Sequence, residues 1–141
     1  MERKIVHVVG TGTIGEPLIG ILCEQKSNLG IDEVTFHKQS PLTKDAPKIK
    51  NLIAKGARLA VHEERVESFK KIGLEPEFTM EEAVSRSSVV IDCTPKGFGH
   101  KNKLDFYEKY SDNVKGFLAQ GSENGFGKKY ARGINDHVIN S

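Results

Sequence analysis

The stretch Lys4-Ile5-Val6-His7-Val8-Val9-Gly10-Thr11-Gly12-Thr13-Ile14-Gly15 decides the fold. Its first six residues are rich in β-branched types and stop at a glycine cluster, the pattern of a short buried strand. From Ile14, the apolar residues Leu18, Ile21 and Leu22 recur at helical spacing, and the helix they predict runs to about Ser27. Pro17 falls in its first turn, where a missing N–H costs nothing. Between strand and helix, Gly10, Gly12 and Gly15 spell G-x-G-x-x-G, and each has a physical task. Gly10 permits the tight turn, Gly12 lets a pyrophosphate approach the backbone, and Gly15 lets the helix pack close to the sheet. The unpaired N–H groups at the positive end of the helix then suit the phosphates.

Outward from this motif, strands and helices alternate. Glu33 to His37 reads as a second strand, Asp45 through Lys55 as a basic helix ended by Gly56, and Arg58 to Val61 as a third strand. Glu63 to Ile72 is amphipathic, with Val66, Phe69 and Ile72 on one face, and Met80 to Ser85 is a short helix capped by Thr79. Val89 to Cys93 is a buried strand, Asn102 to Tyr110 a helix and Gly116 to Ala119 a further strand. The expectation is one α/β domain over residues 1–141, a Rossmann-type doubly wound, mostly parallel sheet with helices on both faces. Its ligand is a nicotinamide dinucleotide, NADP or NAD; a glycine turn with only a structural role is the alternative.

Other classes find less support. No apolar run approaches the roughly 20 residues that span a bilayer, and the N-terminus lacks the apolar core of a signal peptide, so no membrane and a cytoplasmic setting are expected. Cys23 and Cys93 stand far apart without a partner motif, and His62-Glu63-Glu64-Arg65 lacks the second histidine of a zinc helix. The net charge of +2 is spread along the chain, so no nucleic-acid partner is expected. A kinase-type glycine loop is excluded by the absence of H-R-D and D-F-G.

The choice of cofactor is read at the end of the second strand. An NAD site usually places an acid there, about 20 residues beyond the glycines, on the ribose 2′-hydroxyl. Here the strand runs into Lys38-Gln39-Ser40, while Asp32 and Glu33 stand at its opposite end. Lys38 offers a charge-assisted hydrogen bond to a 2′-phosphate, and Gln39 and Ser40 offer neutral ones. NADP is therefore the expected preference, with Lys38 as a solvated loop lysine the bland alternative.

Taken with A-K-G-A-R-L-A-V (54–61), D-C-T-P-K-G-F-G-H-K-N-K (92–103) and F-L-A-Q-G-S-E (117–123), the glycine turn resembles archaeal-type glyceraldehyde-3-phosphate dehydrogenase. The resemblance runs from about Lys4 to Asn135 and is to the N-terminal cofactor domain of that family. It implies an NAD(P)-dependent oxidoreductase of glycolysis and gluconeogenesis, in which a cysteine thiol attacks the aldehyde and the thiohemiacetal gives hydride to the nicotinamide. By the same resemblance, Gly10, Gly12, Thr13, Ile14 and Gly15 hold the pyrophosphate and Lys38 is the lysine after the second strand. Thr94, Pro95 and Gly97 line the path to the nicotinamide, and Gln120 and Gly121 follow the last strand at the cleft.

The family's catalytic cysteine lies in an S-C-N-T stretch that this sequence, ending at Ser141, does not contain. The resemblance therefore implies no catalytic residue in this chain, little activity of the chain by itself, and a homotetrameric full-length enzyme. A second reading stays open, a stand-alone nucleotide-binding module without catalysis, since a Rossmann fold does not itself imply chemistry. A third is another dehydrogenase sharing the glycine turn, against which the 92–102 segment argues.

Overall fold

In the computed structural model, which describes residues 3–94, 109, 114–119 and 137, the apolar runs form parallel strands. They are β1 (Ile5–Val9), β2 (Glu33–His37), β3 (Arg58–Val61), β4 (Phe78–Thr79), β5 (Val89–Asp92) and β6 (Gly116–Ala119). The helices are α1 (Gly15–Glu24), α2 (Lys26–Leu29), α3 (Ala46–Ala54), α4 (Val66–Lys71) and α5 (Met80–Arg86). The strand order is β4-β3-β2-β1-β5-β6, every pairing parallel. The sheet winds outward from β1 in both directions, so its topological switch point lies between β1 and β5.

Side-chain alternation assigns the two faces. Val8, Val34, Phe36, Leu59 and Val61 turn to one face, where Ile19 and Leu22 of α1, Ile49 and Leu52 of α3 and Phe69 of α4 cover them. Phe36 and Phe69 are wholly buried, and truncating either to alanine should cost roughly 3–5 kcal/mol. On the other face, Met80 and Val84 of α5 pack with Val9, Val90 and Val114. This is the doubly wound α/β arrangement that the alternating pattern predicts. Apart from Lys109, the helix read at Asn102 to Tyr110 lies outside the described residues.

Three details differ from the sequence reading. The first helix breaks at Gln25, and its tail is the separate turn α2, closed by left-handed Gly30 at φ +69°. Glu63–Arg65 is a 3-10 turn, so only Val66–Lys71 is α-helical. The two-residue strand β4, too short to carry a period, comes directly before α5. Thr79 then caps α5 as expected, its hydroxyl accepting from the Glu82 N–H at 3.2 Å in a reciprocal capping box.

The α5 face is unusually polar. Register sets Ile5 beside Glu33, His7 beside Thr35 and Val9 beside His37, which puts three polar residues of β2 on that side. Glu33 accepts a bidentate pair from Arg86 at 3.0 Å on each oxygen, and Arg3 and Arg58 approach at 3.1 and 3.5 Å. Burial alone would raise this carboxyl, but the Arg86 hydrogen bonds and the three guanidinium charges hold it below its ordinary value. His7 Nδ1 and Thr35 Oγ1 share a 2.6 Å hydrogen bond, and the His37 ring meets His62 edge-on at 5.1 Å.

Burial pushes both His7 and His37 down to about 3. They stay neutral in the folded chain, whereas the unfolded chain takes up their protons below about 6.5. The unfolded state thus binds more protons, and stability falls as pH drops from about 6.5 toward 3, by up to about 1.4 kcal/mol per pH unit for each histidine. Urea unfolding at pH 7.5 and 5.5 should show the loss, and His7→Asn should reduce it. Equal stability at the two pH values would contradict the buried neutral pair.

Candidate functional site

The glycine turn occupies the carboxyl end of β1, beside the switch point. Gly10 sits at φ +104°, a conformation that favours glycine, and its N–H donates to the carbonyl of His37 at 3.1 Å, tying the turn to β2. A Cβ at Gly15 would lie 2.1 Å from the Gly10 carbonyl oxygen, so α1 rests directly on the turn's backbone. Gly12 is different. It has no positive φ, and among the described residues a Cβ there would meet nothing within 4 Å. Packing among the described residues gives no reason for glycine at 12 and leaves the backbone there open.

These residues open onto a cavity of about 470 Å³, a size suited to a small-molecule or cofactor site. Gly10, Gly12, Thr13 and Ile14 line its floor, together with Thr11. Lys38 and Gln39 line it from the end of β2, and Cys93 and Thr94 from the end of β5. Seven of the residues singled out from sequence thus meet: five, Gly10, Gly12, Thr13, Ile14 and Thr94, come from the β1 and β5 ends, and Lys38 and Gln39 follow β2. Gly15 sets the helix position from behind the floor. Pro95, Gly97, Gln120 and Gly121 lie outside the described residues.

Local chemistry explains each placement. Ile14, at the cap position of α1, makes no side-chain capping bond; in the first turn the Glu16 N–H donates to the Gly12 carbonyl at 3.1 Å and Pro17 has no N–H. Thr94 closes the end of β5 by donating its N–H to Asp92 Oδ1 at 2.9 Å, with its hydroxyl on the same oxygen. Lys38 is held by its backbone N–H, which donates to the Ala60 carbonyl at 3.3 Å.

Two charges escaped the sequence reading. Lys48 of α3 reaches across the turn, its Nζ donating to the Thr11 carbonyl at 2.9 Å and lying 3.7 Å from Glu16, and it lines the cavity. Asp45, at the cap position of α3, pairs with Lys38 at 3.0 Å and approaches Lys48 at 4.0 Å. The hydrogen bond from Lys38 holds the Asp45 carboxyl below its ordinary value. Lys38 is therefore an ion-paired residue and not a solvated loop lysine. No spacing rule finds these two, because a turn seven residues beyond Lys38 has to fold back to bring them in.

The cysteines carry no activated thiol. Burial raises Cys23, which packs against the α1 side of the core. Burial, with the neighbouring Asp92 charge, pushes Cys93 up to about 11, which leaves it protonated near neutral pH. No group of three metal-ligating side chains occurs among the described residues, and no helix among them is long and apolar enough to cross a membrane.

A parallel sheet with a glycine turn and a cavity at its switch point defines the Rossmann class of α/β proteins. No family model matches the chain. It is similar to proteins named glyceraldehyde-3-phosphate dehydrogenase from Pyrobaculum islandicum and Pyrobaculum arsenaticum, at 30% and 34% identity over 120 residues. Each alignment covers 84% of this chain and 31% of the relative. The protein of that name from Methanopyrus kandleri is 42% identical over 73 residues, which are 48% of this chain and 20% of the relative. The chain is thus a homologue of the archaeal glyceraldehyde-3-phosphate dehydrogenases, spanning 31% of the length of the Pyrobaculum proteins.

The two glycines predict opposite phenotypes. Gly15→Ala drives a methyl into the Gly10 carbonyl and should lose more than about 3 kcal/mol in urea unfolding. Gly12→Ala should leave the unfolding midpoint within error of wild type. Equal losses at both positions would contradict the division of roles.

Proposed function

We propose that this chain binds a nicotinamide dinucleotide, NADP in preference to NAD, as the cofactor-holding part of a phosphorylating glyceraldehyde-3-phosphate dehydrogenase. The observation that carries the reading is Gly12, a glycine that no described neighbour requires, lining a cavity beside a helix start that has no side-chain cap. The residues present fit the cofactor. Gly10, Gly12, Thr13 and Ile14 offer backbone to a pyrophosphate, and the N-terminal end of α1 carries partial positive charge toward it. Lys38 offers its ammonium to a 2′-phosphate, and Thr94 stands on the side of the cleft where the nicotinamide would enter. When bound, the dinucleotide supplies hydride transfer; these residues bind and orient it.

The similarity to the archaeal enzymes supports the substrate class, a phosphorylated aldehyde, and with it a cytoplasmic and tetrameric working enzyme of glycolysis and gluconeogenesis. The protonated state of Cys93 favours binding without catalysis by the described residues themselves.

Calorimetric titration with NADPH and NADH tests the reading. Wild type should bind NADPH more tightly, Lys38→Ala should lower NADPH affinity about tenfold with a smaller effect on NADH, and Gly12→Ala should abolish binding of both. Absence of binding to either nucleotide by a folded wild-type chain would overturn the reading, and comparable affinities for the two would remove the NADP preference.

A further inference from the structure

The end of β2 lacks the acid that reads a ribose 2′-hydroxyl, yet the fold delivers a carboxylate to that place from elsewhere. Asp45, at the end of the turn Thr43–Asp45 that leads into α3, uses its two oxygens on two different cavity lysines. Oδ2 lies 3.0 Å from Lys38 Nζ, and Oδ1 lies 4.0 Å from Lys48 Nζ. The Lys38 and Asp45 side chains are only 16% and 17% exposed, so the pair sits in a partly desolvated spot where charge balance counts. Lys48 is further fixed by the Thr11 carbonyl and by Glu16.

We propose that Asp45 is the specificity-determining residue of the nucleotide site, an internal counter-anion that competes with a 2′-phosphate for Lys38 and Lys48. The inference rests on the cofactor reading above and goes beyond it, because it assigns the discrimination to a residue on α3's leading turn and gives Lys48 a share in the clamp. With a 2′-hydroxyl in place, Asp45 and Glu16 together balance the charges of Lys38 and Lys48, and each lysine facing the ribose keeps an acidic partner. With a 2′-phosphate in place, the lysines turn from Asp45 to the phosphate, and the freed carboxylate repels it. Asp45 thereby weakens NADP binding, protects NAD binding and narrows the gap between the two. Removing its charge widens that gap.

The test compares NADPH and NADH affinities of the intact chain with those of Asp45→Asn and Asp45→Glu. Asparagine is a good cap residue and Asp45 makes no side-chain capping bond, so helix α3 should persist in both variants. Asp45→Asn should raise the NADPH-to-NADH affinity ratio about tenfold, mostly by tighter NADPH binding, with an unchanged melting temperature. Asp45→Glu, which keeps the charge, should stay near the wild-type ratio, and Lys48→Met should lower NADPH affinity more than NADH affinity. An unchanged ratio in Asp45→Asn, or equal weakening of both nucleotides, overturns the assignment while leaving the cofactor reading in place. A wild-type chain that binds neither nucleotide removes the cofactor reading and this assignment together.

Discussion

The architecture depends on one backbone contact, the first turn of α1 lying against the carbonyl of Gly10 with no side chain between. That contact sets the distance between helix and sheet, and through it the place of the turn's amides. The same turn is tied to β2 through the bond from Gly10 N–H to His37, and to α3 through the bond from Lys48 to the Thr11 carbonyl. Three elements thus hold a short loop, half of whose residues are glycine. Its rigidity comes from outside it, which is what preorganised binding of a phosphate group requires.

The sheet has a division of labour between its faces. Below α1, α3 and α4 the side chains are apolar, and burial supplies the stability. Beneath α5 the sheet carries Glu33, His7, Thr35 and His37, and the fold holds them by pairing and by keeping the histidines neutral. Arg86 links both functions of that face, donating to Glu33 while its guanidinium stacks 4.1 Å above the Phe78 ring. The polar face makes acid the natural denaturant of this domain.

Much of this was legible in the sequence, and for identifiable reasons. Strands β1, β2 and β5 announce themselves by β-branched runs that end at glycines or polar turns, and β3 and β6 by short apolar runs. The capping box at Thr79 and Glu82 is a local signal that needs no tertiary information. The glycine turn was readable for the same reason, as was the opposition of Lys38 and Glu33 at the two ends of β2. What sequence does not carry is the meeting of distant charges. Glu33 gives no hint of Arg3, Arg58 and Arg86, and Lys38 gives none of Asp45, because those partners arrive through strand register and the return of α3. The strand β4 leaves no signal because two residues have no period, and the break at Gln25 leaves none because the helical pattern continues through it.

The proposed seat of the dinucleotide is the backbone between Gly10 and Gly15. Amide chemical shifts followed by NMR during NADPH addition test it most directly. Thr11, Gly12, Thr13, Ile14 and Lys38 should shift most and saturate together, with little change at Glu63, Glu64 and Glu81 on the far side of β3. Shifts centred on that acidic group, with the glycine turn unmoved, would contradict it.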